Sequence, residues 1–264
     1  SPMAVPAGVV ADSMGDRGAA LEYYRDALRY DWADRDAALH LMIGLCRLGG
    51  DDGDEKNDGG GDEEGAALRS RLVEHVLSSW DYVSSAGVGA DPSVHFFTYD
   101  MIRLALDACS PSLRGGLILE FGVYHGKTMR MIADRFPDEP VHGFDTFEGI
   151  PENWHATPRG SYSTHGALPR APGNVRFHAG LFSETLPSFL EADDGRPVRF
   201  MNVDCDLYSS TKDVLECVCD RVVPGTVIVF DEYVLNPNWK RDEYRAFQEA
   251  VEMHGWQYEY IGIS

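Results

Sequence analysis

Positive charge is scarce in this chain of 264 residues, where 23 Lys and Arg stand against 43 Asp and Glu, a formal net charge of −20 at pH 7. An acidic surface repels phosphate backbones, so the reading excludes a nucleic-acid partner and a polybasic membrane patch. Long apolar runs are missing too, and with none near 18 residues no segment is expected to span a bilayer. The start, Ser1 to Val10, has neither a basic region nor a long apolar stretch, so it does not read as a secretory signal. Ser1-Pro2 ahead of Met3 reads as an added remnant rather than native chain. Cysteine is sparse and odd in number: Cys46, Cys109, Cys205, Cys217 and Cys219. Scattered spacing in a chain this long argues against a disulfide framework and for a reducing, cytoplasmic setting. Cys217 and Cys219 form a C-x-C with no second pair to complete a zinc site, so they read as plain thiols.

What is present organises into three parts. Residues 1–48 hold two helical patterns, Ala19 to Tyr30 and Asp34 to Leu48, read as a hairpin that packs on the main domain or on a second protomer. Residues 49–65 carry eight acids, one base and no apolar side chain, which is a solvated linker. Residues 66–264 form the main domain. It opens with helical periods at Ala67 to Trp80 and Val94 to Ala108. Strands are then expected at Leu117–Phe121, Val141–Phe144, Val175–His178, Arg199–Val203 and Val227–Phe230. Helices are expected at Lys127–Arg135, Glu184–Leu190, Ser210–Arg221 and Asp242–His254, with a last strand over Trp256 to Ile263. Short β-rich runs alternating with helices imply an α/β fold whose parallel sheet is covered on both faces.

The first strand runs into Glu120-Phe-Gly122-Val-Tyr124-His-Gly126-Lys-Thr128. Gly122 and Gly126 let the backbone turn sharply and approach a ligand, and the helix behind them starts with free N–H groups. The spacing is G-x-x-x-G rather than the dinucleotide G-x-G-x-x-G. Glu120 beside the turn repels a pyrophosphate but suits a cation-bearing ligand such as S-adenosylmethionine, with its ammonium and sulfonium. The second strand ends at Asp145, placed to accept hydrogen bonds from ribose hydroxyls. The third ends in Gly180-Leu181-Phe182, where backbone and apolar groups could flank an adenine. Asp204 and Asp206 follow the fourth strand, and Asp231 and Glu232 the fifth. These four acids converge at the carboxyl edge of the sheet, where carboxylates repel one another unless a cation joins them. Oxygen-only donors suit Mg²⁺.

Four ordered stretches carry a resemblance. They are Glu120 to Thr128, Phe144 to Pro151, Asp204 to Thr211, and Phe230-Asp231-Glu232-Tyr233. Together they resemble the macrocin O-methyltransferase family over about 116–263, and the first is similar to that of the catechol O-methyltransferases. The resemblance implies a Rossmann-like class I methyltransferase fold with S-adenosylmethionine and Mg²⁺ as cofactors. It implies methylation of a hydroxyl, on a sugar of a natural product such as an antibiotic. Cofactor residues would be Glu120, Gly122, Tyr124, Gly126, Thr128, Asp145, Gly180, Phe182 and Asp204. Metal ligands would be Asp204, Asp231 and Glu232, the last a departure from the Asp or Asn of many relatives. A catechol-type lysine base is replaced by Leu207, which leaves Asp206 and then Asp204 as the catalytic proton acceptor, ahead of His155 and His125. The segment 147–174, rich in Pro and Gly with Phe147, Trp154 and Tyr162, reads as a lid over a sugar or polyketide. Trp154, His155, Tyr208 and Trp239 are its substrate-binding candidates. Two other readings compete: a metal-independent N-methyltransferase and a non-catalytic S-adenosylmethionine-binding protein. The fold family also has an antiparallel strand expected after Ile263. Its absence would expose a sheet edge, which a homodimer could cover.

Overall fold

The computed structural model describes residues 98–234, 236 and 239–263, together with 19, 23, 78, 79, 82, 93 and 94. The chain divides into two compact units, Ser1–Val88 with Leu235–Pro237, and Gly89–Val234 with Asn238–Ser264. In the first, Ala19, Tyr23, Ser78, Ser79 and Tyr82 are helical. The rest of the hairpin and the whole acidic linker lie outside the described residues. Among the described residues no helix is long and apolar enough to cross a membrane.

The second unit is built on near-continuous apolar runs. Leu117–Phe121 (β2) is buried along its whole length, as is Val198–Val203 (β5), which a strand covered on both faces requires. With Val141–Asp145 (β3), Val175–Ala179 (β4) and Val227–Phe230 (β6) they form a five-stranded parallel sheet in the order β4-β3-β2-β5-β6. The order reverses between β2 and β5, the switch point where ligands sit in open α/β sheets.

Helices α1 (Thr98–Ala108) and α2 (Lys127–Arg135) supply Ile102, Met129 and Ile132 to one core, packed with Ile118 and Phe200 of the sheet. Helices α3 (Phe182–Ala192), α4 (Tyr208–Val218) and α5 (Glu243–His254) cover the opposite face through Leu186, Val214 and Phe247, against Leu119, Phe121 and Met201. The alternation of Ile118 with Leu117 and Leu119 is the period-2 signature of a strand, so each face of β2 meets its own helical layer. This is the Rossmann-like α/β arrangement expected from the sequence.

Two elements differ from expectation. The helix of Val94 to Ala108 begins only at Thr98, and Val94 instead belongs to a two-residue strand, Ser93–Val94 (β1). The strand of Trp256 to Ile263 shrinks to Gly262–Ile263 (β7), which pairs in parallel with β1 and not with the main sheet. Residues 256–261 turn their aromatic groups onto α5 instead: the Phe247 ring meets Tyr258 at 4.9 Å, and the Tyr258 hydroxyl bonds Gln248. Side-chain packing has replaced a ladder there.

Candidate functional site

The carboxyl ends of β2, β3, β5 and β6 surround a cavity of about 490 Å³, within the range of small-molecule sites. Gly122 forms its floor. At φ +87° it adopts a backbone few other residues tolerate, and a Cβ there would sit 1.7 Å from the Asp204 carbonyl oxygen. The turn is fastened by Asp145, whose Oδ2 accepts the N–H groups of Val123 and Tyr124, both at 2.8 Å, while Oδ1 accepts that of Phe147 at 2.7 Å. A carboxylate offers about four lone-pair sites, so Asp145 keeps capacity for a ligand hydroxyl while it holds the loop.

Seven acids line the cavity, Asp145, Glu152, Asp204, Asp206, Asp213, Asp231 and Glu232, and among the described residues no Lys, Arg or His does. Their electrostatics follow. Burial raises the Asp204 carboxyl well above the usual range, and the charge of Asp231 adds to it. Burial raises Asp231 as well. Asp206 is pushed up to about 6, by burial and then by Asp231 and Asp242. Asp206 also has φ +62° with the Leu207 N–H turned back to the Cys205 carbonyl, a strained three-residue turn. A crowd of carboxylates with no base asks for a cationic ligand. Ile150, Pro151, Leu181 and Phe182 supply an apolar wall beside it.

Of the cofactor candidates, Gly122, Tyr124, Asp145, Phe182 and Asp204 line the cavity. Glu120 does not: it is fully buried, accepts from Asn202 at 3.1 Å, and burial pushes its carboxyl up to about 8. Thr128 lies beside the Glu120 carboxyl and holds it lower than burial alone would. Gly126, at φ +68°, starts α2, and Gly180 donates to the Asp145 carbonyl, so both act behind the cavity wall. The metal candidates Asp204, Asp231 and Glu232 share the cavity. Among the described residues no three His, Cys, Asp or Glu side chains are gathered to hold an ion.

The substrate candidates lie outside the cavity lining. Trp239 is 1% exposed and packs edge-on against Tyr244, so it is core rather than a wall for a sugar. Tyr208 donates to Glu249 and lies under Arg245, away from the cavity. Trp154 pairs with Thr157 across a tight bridge, and His155 Nε2 contacts Asp242 Oδ2 at 2.7 Å; neither lines the cavity. Phe147 is buried against Phe177. From the lid, Glu152 and Tyr162 reach the cavity, and Ser209 of α4 donates to Glu152. Tyr162 sits edge-on to Tyr124 at 6.1 Å, and its phenol is raised by burial and then by the Asp206 charge. Reasoning from sequence missed Ser209, Ser210 and Asp213, although the i, i+1 and i+4 spacing from 209 places all three at the start of α4, which faces the strand ends.

A methyltransferase domain family matches residues 119–233, which run from β2 to just past β6. That stretch is similar to a methyltransferase domain. The chain is 30% identical over 148 residues to 8-demethyl-8-(2,3-dimethoxy-alpha-L-rhamnosyl)-tetracenomycin-C 4'-O-methyltransferase of Streptomyces olivaceus. That match covers 46% of this chain and 54% of the relative, so the chain spans about half the length of the curated protein it matches. Among solved structures it is similar to the calicheamicin methyltransferase CalS11, with a TM-score of 0.49 and 21% identity over 76% of this chain and 92% of that one. The apo structure of CalS11, described as a TDP-rhamnose 3'-O-methyltransferase, gives 0.42 and 22% over 74% and 88%.

Proposed function

We propose that the protein transfers a methyl group from S-adenosylmethionine to a hydroxyl of a small molecule, a sugar ring of a natural product being the favoured acceptor. The observation that carries this reading is the cavity at the sheet's switch point, lined by seven acids and, among the described residues, no basic side chain. A sulfonium and an ammonium suit such a lining, whereas a dinucleotide pyrophosphate does not. The rhamnosyl acceptor in the name of the Streptomyces relative supports a sugar.

The chemistry is an in-line displacement at carbon. The methyl carbon bonds the acceptor oxygen as its bond to sulfur breaks, and the sulfur leaves neutral. The donor is already activated, so the protein's tasks are orientation and removal of the hydroxyl proton. Asp206 takes that proton. Its raised value of about 6 leaves it ionised at neutral pH yet more basic than an ordinary carboxylate. Asp204 is less suited, because burial and then the Asp231 charge press it toward the protonated form.

The family resemblance implies Mg²⁺ on Asp204, Asp231 and Glu232. These side chains supply suitable oxygen donors but not the grouping, so no step here passes through an ion. Dialysis against EDTA, followed by assay with and without added Mg²⁺, tests a requirement for one.

The deciding experiment has two readouts. Calorimetry with S-adenosylhomocysteine should show one-to-one binding. Tritium from methyl-labelled S-adenosylmethionine should pass to a rhamnosyl glycoside. Absence of any heat with S-adenosylhomocysteine would remove the proposal.

A further inference from the structure

Glu243, the first residue of α5, is fully buried and lies outside the motifs that point to methyl transfer. Its Oε1 accepts the N–H of Cys205 at 3.3 Å and its Oε2 accepts that of Glu232 at 3.1 Å. One carboxylate thus joins the loop after β5 to the loop after β6. Those loops carry Asp204 and Asp206 on one side and Asp231 and Glu232 on the other.

The Cys205 N–H belongs to the same planar peptide unit as the Asp204 carbonyl, and the two point in opposite directions. The carbonyl oxygen occupies the space a Cβ on Gly122 would need. A hold on the N–H by Glu243 therefore fixes the oxygen that shapes the glycine turn. The contact reaches from α5, through one peptide plane, to the floor of the cavity.

Resting on the methyl-transfer reading, we propose that Glu243 is a positioning residue. It orients the Asp204–Cys205 peptide against Gly122 and sets the separation of the two acid-bearing loops, and so governs affinity for the methyl donor without touching it. The neighbouring Asp242 meets His155 of the lid, so the start of α5 ties the lid and both loops to one rigid element.

The test uses the full chain with Glu243→Gln, which keeps the side-chain shape but replaces one acceptor by a donor. Ala250→Gly serves as a control that weakens the same helix without reaching either peptide. S-adenosylhomocysteine affinity should fall at least about fivefold in Glu243→Gln and stay within about twofold in the control, as expected for loss of a buried hydrogen bond. Amide exchange read by NMR should speed up at Cys205 or Glu232 in the variant alone. Wild-type affinity in Glu243→Gln, or an equal loss in the control, would overturn the proposal. If the wild type binds no S-adenosylhomocysteine, the methyl-transfer reading fails, and the exchange rates at Cys205 and Glu232 still decide whether Glu243 holds both loops.

Discussion

Gly122 and Asp204 meet backbone to backbone: the Asp204 carbonyl fills the space of a side chain at Gly122, and the Asp204 N–H in turn donates to the Phe121 carbonyl at 2.8 Å. Two strand ends are thereby locked at the point where the sheet order reverses. Gly122→Ala should cost on the order of 3 kcal/mol, since it combines a positive φ with a backbone collision. Urea unfolding measures the stability loss, and S-adenosylhomocysteine calorimetry should show binding lost with it. A variant that kept wild-type stability would contradict the described approach.

Glu120 makes a prediction about pH. Its folded carboxyl is raised to about 8 from an ordinary 4.5, so the folded state holds a proton that the unfolded chain has released. Stability from this group is complete below the ordinary value and is lost as pH rises toward about 8. Glu120→Gln should flatten that decline between about pH 5 and 8. Unfolding midpoints across the range check it, and an unchanged slope would show that Glu120 is ionised in the folded protein.

Asp206→Asn tests the proton acceptor. The variant should lose about 10²- to 10⁴-fold in kcat, the usual worth of a general base. S-adenosylhomocysteine affinity should hold, because the change is isosteric. A KM effect with kcat intact would instead make Asp206 a binding group.

Trp239→Ala separates a core role from a substrate role. A fully buried Trp cut to Ala should destabilise by about 3–5 kcal/mol. Trp239→Phe should fold and leave the acceptor KM unchanged. A rise in KM at wild-type stability would restore Trp239 to the cavity wall.

His155→Ala should loosen the lid. Its contact with Asp242 and the Ser209 bond to Glu152 are two ties between residues 152–155 and the α4 and α5 ends. Hydrogen exchange should quicken across 151–162 and remain unchanged in β2 and β5. Uniform exchange behaviour would mean that the lid is held by its own turns alone.

Much of the fold was legible because it is written in local periodicity. Leu117–Phe121, Lys127–Arg135 and Val227–Phe230 fall where the pattern places them. A strand buried on both faces must be apolar throughout, and a surface helix must be apolar on one face. The acids at the ends of β5 and β6 were legible for the same reason, since parallel strands bring their carboxyl ends together. Trp256 to Ile263 failed as a strand because aromatic alternation also suits packing on a helix, and Phe247 offered that partner.

The amino-acid order thus determined the βα succession, the glycine turn and the placement of carboxylates along one sheet edge, since each depends on a residue and its near neighbours. Tertiary structure decided which side chains see the cavity. Trp154 and Tyr162 come from the same loop, yet Tyr162 lines the site and Trp154 does not. Trp239 is buried, and Glu243, with no motif to mark it, joins two strand ends. Those outcomes depend on how distant segments pack, because the facing of a loop side chain is fixed by the surfaces that close over it.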